Sequence, residues 1–150
     1  MAETEIIMGN VMDYLEWRGD LTFDQSPFND VDNVILSQLA YVNFRDVIPS
    51  VQMNKGITLK AAAQLFFDLH TEEELMQDKS FIKDAPKLLK KAAQTNRFRD
   101  VILSDYVDMV DETLEKQFGA FHIKLSPQCT YVAFRGTDDT LVGWKEDFNM

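Results

Sequence analysis

Apolar residues in the first part of the chain recur at helical spacing. Val11, Tyr14, Leu15 and Arg18 fall on one face at i, i+3, i+4 and i+7, which predicts a helix from about Asn10 to Arg18. Asn10 suits its N-cap, and Gly19 suits the left-handed residue that closes a helix. Residues 19–29 read as a connection broken at Ser26-Pro27. Val31, Val34, Ile35, Gln38, Leu39 and Val42 then predict a second helix over Asp30 to Phe44, with Asn29 or Asp30 as its cap. Pro49 and Gly56 punctuate the next loop. Thr58 caps a third helix to about Leu69, with Leu59, Ala62, Ala63 and Phe66 inward. Glu72-Glu73-Glu74 reads as the solvated first turn of a short helix capped by Thr71. Asp84-Ala85-Pro86 opens a further helix to about Thr95, with the proline near its first position.

The texture changes near Phe98. Val101 to Asp111 is rich in β-branched and aromatic residues, and Glu112 to Lys116 is polar. From Gln117 to Leu125 the residues alternate. Gly119, Phe121, Ile123 and Leu125 lie on one side, with Phe118, Ala120, His122 and Lys124 on the other, as in a half-buried strand. Ser126 to Cys129 turns the chain into an apolar strand, Thr130 to Phe134. A loop follows over Arg135 to Thr140. Leu141, Trp144, Lys145 and Phe148 begin another helical spacing. The expectation is one folding unit in two parts, mainly helical over 1–97 and then about three strands and the start of a helix over 98–150. A strand, a loop and a helix form the first half of a βαβ crossover, so the pattern predicts an antiparallel strand pair followed by the first parallel-type strand. A sheet of that size keeps open edges, and the apolar strand over 131–134 is suited to self-association or to a partner strand.

Composition narrows the function classes. Lys plus Arg is 15 and Asp plus Glu is 25, a net charge of −10, which repels phosphate backbones and anionic headgroups. The cationic residues that cluster are Lys87, Lys90, Lys91, Arg97 and Arg99, with thin aromatic interleaving, so nucleic acid is not an expected partner. The start of the chain, with Glu3 and Glu5, lacks the basic region of a signal peptide, and no apolar run is long enough to span a bilayer; a cytoplasmic location is expected. Cys129 is single and reads as a bystander thiol.

Few residues suggest chemistry. The oxygen donors between Asp24 and Ile35 fail as an EF-hand, because Asn29 and Ile35 stand where the loop needs glycine and glutamate. His122 reads as a strand residue without a ligand-spaced partner, and neither a metal site nor a cofactor site is expected. Asp138-Asp139 and Glu146-Asp147 read as solvated or capping acids around a helix start.

Tyr131-Val132-Ala133-Phe134-Arg135-Gly136-Thr137, followed by Trp144, resembles the segment of class 3 lipases in which an apolar strand runs into a Phe-Arg-Gly-Ser/Thr loop before a Trp-bearing helix. Gly9-Asn10 and Asp13 to Phe23 resemble the opening of a bacterial family of unknown function described as lipase-like. Ser26-Pro27-Phe28-Asn29, Asp32-Asn33, Leu36 to Leu39 and Gly136 to Asn149 are similar to it as well. The resemblance spans most of the chain. It implies an α/β fold, an incomplete α/β-hydrolase whose N-terminal part this chain matches, and a Ser-His-Asp ester hydrolase acting on a small ester or lipid-like substrate.

Within that resemblance Thr137 takes the oxyanion-hole position, and Gly136 allows the loop to approach closely. The same pair also suits a plain strand-to-helix turn capped by Thr137 or Asp138. Arg135 would orient the loop or substrate, or make a structural ion pair, and Trp144 would line a pocket or fill the core. No G-x-S-x-G occurs, and His70 and His122 both precede the point where a serine elbow would come. The nucleophile and its Asp and His are therefore absent from these 150 residues, and the chain alone is expected to be inactive. A noncatalytic interaction or scaffold module using the open sheet edge is the alternative.

Overall fold

The computed structural model describes residues 11–77, 84–111 and 116–135. Among them the chain forms five helices and one antiparallel sheet. Helix α1 covers residues 11–18 and α2 covers Asp30–Leu39. A 3₁₀ turn over Val51–Met53 and a short strand β1, Gly56–Thr58, lead directly into α3, Leu59–Leu69. Helices α4, Glu72–Gln77, and α5, Ala85–Ala92, precede the long strands β2, Ile102–Asp111, β3, Lys116–Ser126, and β4, Cys129–Arg135. The sheet order is β1-β2-β3-β4, and every neighbouring pair runs antiparallel.

The caps of α2, α3 and α4 are those the sequence indicates. Asn29 accepts from the backbone of Val31 and Asp32, and Asp32 accepts from the backbone of Asn29, closing a capping box. Thr58 accepts from Ala61, and Thr71 and Glu74 satisfy one another's backbone in the same way. The helices end earlier than periodicity suggests. α2 stops at Leu39 rather than Phe44, because Tyr41 and Val42 tighten into i−3 bonds and the Asn43 side chain takes the Arg45 N–H. Val42 and Phe44 stay buried, so they keep the inward pattern without the helix. α5 stops at Ala92 rather than near Thr95, whose hydroxyl instead donates to Ala92 O. Gly19 is not left-handed, since no described glycine has positive φ. A Cβ there would stand 2.2 Å from Leu15 O and 2.7 Å from Thr95 Cγ2, so the residue serves close packing. The cap position Asn10 lies outside the described residues.

The sheet holds four strands rather than three. Gly56-Ile57-Thr58 is too short to show a period, and it is fixed by pairing with Ser104, Leu103 and Ile102. β4, expected to open a parallel part of the sheet, pairs antiparallel with β3 through the two-residue turn Pro127-Gln128. β2 is broken by a bulge between Ser104 and Val107, where Asp105 adopts φ 57°.

One face of the sheet is covered. Leu103, Phe121, Ile123 and Ala133 join Ile35, Leu39, Phe44, Leu59, Phe66 and Leu88 in a single core. Phe44 sits at its centre, edge-on to Phe66 of α3 at 6.2 Å and to Phe121 of β3 at 5.4 Å. The opposite face carries Val107, Met109, Phe118, Val132 and Phe134, all exposed. The architecture is therefore mixed helix and sheet, compatible with the α/β class. No helix among the described residues is long and apolar enough to cross a membrane.

Candidate functional site

Of the residues singled out by sequence, the structure describes Arg135. Gly136, Thr137, Asp138 and Trp144 lie outside the described residues. β4 alternates across the sheet, so Ala133 and Arg135 point toward the covered face while Val132 and Phe134 point away. Arg135 is 8 % exposed and ends the strand just before Gly136. Its register partner is Gly119, and Gly119 in turn pairs with Asp108. A Cβ on Gly119 would lie 4.0 Å from Arg135 Cβ and 3.9 Å from the Tyr106 hydroxyl. The missing side chain thus leaves room where Arg135 and Tyr106 converge.

Charged side chains of both signs lie near this strand end. Asp108 is held by Arg45, whose Nε donates to Asp108 Oδ2 at 2.8 Å. That bond keeps the guanidinium's pKa above its ordinary range. Tyr106 is half-buried, and burial raises its hydroxyl pKa, aided by Asp108 and opposed by Arg135 and Arg45. A neutral phenol and a buried arginine therefore stand beside the start of the loop. Neither group is a nucleophile.

A serine, an aspartate and a histidine do meet elsewhere. Asp105 Oδ2 accepts from Ser104 Oγ at 3.2 Å and contacts His122 Nδ1 at 2.9 Å, on the exposed face beside the bulge. In a hydrolytic triad the serine hydroxyl lies on the imidazole, whereas here it lies on the carboxylate. The arrangement orients the imidazole without activating the serine. No cluster of three or more metal-ligating side chains occurs among the described residues.

The most connected polar group was not legible as such. Arg97, grouped by sequence with the surface lysines, is buried and belongs to no basic patch. Its Nε donates to Asp32 Oδ1 at 2.9 Å and its Nη2 to Asp32 Oδ2 at 2.6 Å. The remaining donors reach the carbonyls of Leu21, Thr22, Ser26 and Pro27, and the guanidinium carbon lies 4.2 Å from the Phe23 ring centre. Tyr14 donates to Asp32 and accepts from Asn29. Every partner is internal, so this is a structural node rather than a reaction site. The rejected calcium-loop acids include its key carboxylate, Asp32.

Comparison with known families bears on the second half of the chain. A family model described as Mbeg1-like matches residues 92–150. The segment holds β2, β3, β4, Arg135 and the loop residues that follow. It gives a loose likeness to an uncharacterised, lipase-like family. No curated protein and no solved structure matches the chain.

Proposed function

We propose that this chain supplies the first strands and the oxyanion-type loop of a serine ester hydrolase of α/β-hydrolase type. The observation that carries the reading is the match over 92–150, which includes the Phe134-Arg135-Gly136-Thr137 junction of strand and loop. The burial of Arg135 at the end of β4 supports it, because a fixed strand end is what a loop needs to hold an N–H in place. In this reading the Thr137 N–H faces the developing oxyanion, Gly136 allows close approach, and Arg135 positions the loop. The serine, its histidine and its aspartate come from a segment outside these 150 residues, and the substrate is a small ester or lipid-like ester.

The test is hydrolysis of p-nitrophenyl esters by the complete encoded protein and two variants. Thr137→Pro removes the N–H and should lower kcat by about 10²–10³. Thr137→Ser keeps it and should stay close to the parent. Equal rates for parent and Thr137→Pro would sink the reading, as would the absence of any ester hydrolysis.

A noncatalytic module is the second reading, favoured by the exposed apolar face of the sheet. It predicts a defined oligomer or heteromer by gel filtration.

A further inference from the structure

Away from the sheet, an open groove of about 390 Å³ lies between α3, α5 and the turn that follows α5. Its floor is apolar, made by Phe67 with the buried alanines 63 and 93. Lys60, Lys90 and Arg99 stand around it, and Gln64 and Gln94 add side-chain amides. Among the described residues no carboxylate lines it, although the chain as a whole carries −10. Among the described residues Lys60 and Lys90 have no ion-pair partner, and Arg99 reaches only its exposed neighbour Asp100, at 3.3 Å.

The groove is held in shape by its backbone. Lys60 N donates to Arg99 O at 3.0 Å, Leu59 N donates to Val101 O at 2.9 Å, and Arg99 N donates to Thr95 O at 3.0 Å. The first two bonds tie the start of α3 to the segment after α5 and the third closes the turn itself, so Lys60 and Arg99 leave neighbouring points of fixed main chain. The backbone needs no ordering when a ligand binds, and the cost that remains is that of fixing the long side chains.

We propose that this groove binds a small organic phosphate monoester with an apolar body. A phosphate dianion offers three oxygens and two charges to the guanidinium fork and two ammonium groups, whereas a single carboxylate leaves most of that charge uncompensated. The amides of Gln64 and Gln94 complete the hydrogen bonding, and Phe67 with the two alanines takes the apolar part. The volume lies within the range of small-molecule sites, roughly 300–1,000 Å³. A polyanion is a poor fit, since the net negative charge repels it beyond the groove. A compact ligand feels the local cations within a Debye length of about 8 Å. The inference stands independently of the ester-hydrolase reading and shares no residue with the strand end at Arg135.

The test is an amide-resolved NMR titration of the whole chain at fixed ionic strength with phenyl phosphate, inorganic phosphate, benzoate and phenol. Phenyl phosphate should give saturable shifts in α3 and α5 and bind at least about tenfold tighter than each of the other three. Lys60→Gln and Arg99→Gln, both on exposed side chains, should each weaken it about tenfold with unchanged melting. Asp100→Asn should tighten it by freeing Arg99. Affinity unchanged in Lys60→Gln and Arg99→Gln, or no saturable shift, would overturn the site. Benzoate binding as tightly would overturn the phosphate assignment, and inorganic phosphate binding as tightly would overturn the apolar body. Tighter binding of a DNA duplex at the same residues would replace the proposal with a nucleic-acid surface.

Discussion

Arg97 and Asp32 show how one side chain can organise several segments. Both side chains are removed from water, and the hydrogen bonds of the Arg97 guanidinium reach two stretches of the connection between α1 and α2, at Leu21-Thr22 and Ser26-Pro27, and the Asp32 carboxylate of the α2 cap. A buried ion pair of this kind adds little net stability against an apolar pair, yet it costs heavily to break on one side. Arg97→Lys keeps the charge but cannot reach the same set of oxygens, since an ammonium has three donors at one point. Its unfolding free energy should drop by about 3 kcal/mol in urea denaturation. A loss below about 1 kcal/mol would show that the fork geometry is dispensable. The tyrosines make a separate prediction about pH. Burial raises the hydroxyl pKa of Tyr14, Tyr106 and Tyr131 above the ordinary value of about 10. The folded chain then holds these protons more tightly than the unfolded chain. Their contribution is present below pH about 10 and is lost as pH rises through the raised values. Urea midpoints should therefore fall as pH rises above about 10. Tyr106→Phe should make the fall shallower. A midpoint as steeply dependent on pH in the variant as in the parent would remove Tyr106 from the account.

At the scale of elements, helix identity was legible where side chains make local bonds and illegible where tertiary contacts decide. Asn29, Thr58 and Thr71 cap the helices they precede, because a short polar side chain can satisfy the free N–H groups of the first turn without help from elsewhere. Helix ends depend on what the next residues meet, which is why Phe44 and Thr95 lie outside the helices that periodicity assigned to them. β1 was missed for the same reason, since its pairing partner lies far along the chain. The candidate site was legible only through resemblance. Alternation put Phe121 and Ile123 on one side of their strand, the side that is buried, but nothing local shows that Arg135 is buried against a glycine or that Arg97 leaves the basic cluster. Gly19 joins the two levels. Its carbonyl accepts from Arg97 N at 2.9 Å, and its missing side chain lets the end of α1 approach Thr95. Gly19→Ala would drive a methyl into backbone, so the change should destabilise by about 1–3 kcal/mol and lower the melting temperature. An unchanged melting temperature would show that α1 can shift away at no cost.

For the whole molecule, the asymmetry of the sheet matters most. Helices bury one face, while the other presents Met109 at 62 % exposure and Phe134 at 56 %, with the Phe118 and Phe134 rings 6.0 Å apart. Register places these groups together. Met109 pairs with Phe118, Ala120 lies between Val107 and Phe134, and Val132 follows beside His122. Singly exposed apolar residues are ordinary, but a contiguous row across three strands marks a surface meant to be covered. Its removal from water would contribute about 25 cal/mol for each Å² of apolar area buried. The chain 1–150 should therefore bind an apolar dye such as ANS and elute from gel filtration at an apparent mass that grows with concentration. Phe118→Glu with Phe134→Glu should abolish both effects. The double variant's stability should change by no more than about 0.5 kcal/mol per site, because both rings already face solvent. Loss of the fold in that variant would mean that the rings hold the sheet together. A parent that neither binds dye nor associates would mean that other parts of its own chain already cover this face. In either of those cases the noncatalytic module would lose the surface on which it depends, while the ester-hydrolase reading, which requires both faces of its sheet to be covered, would stand.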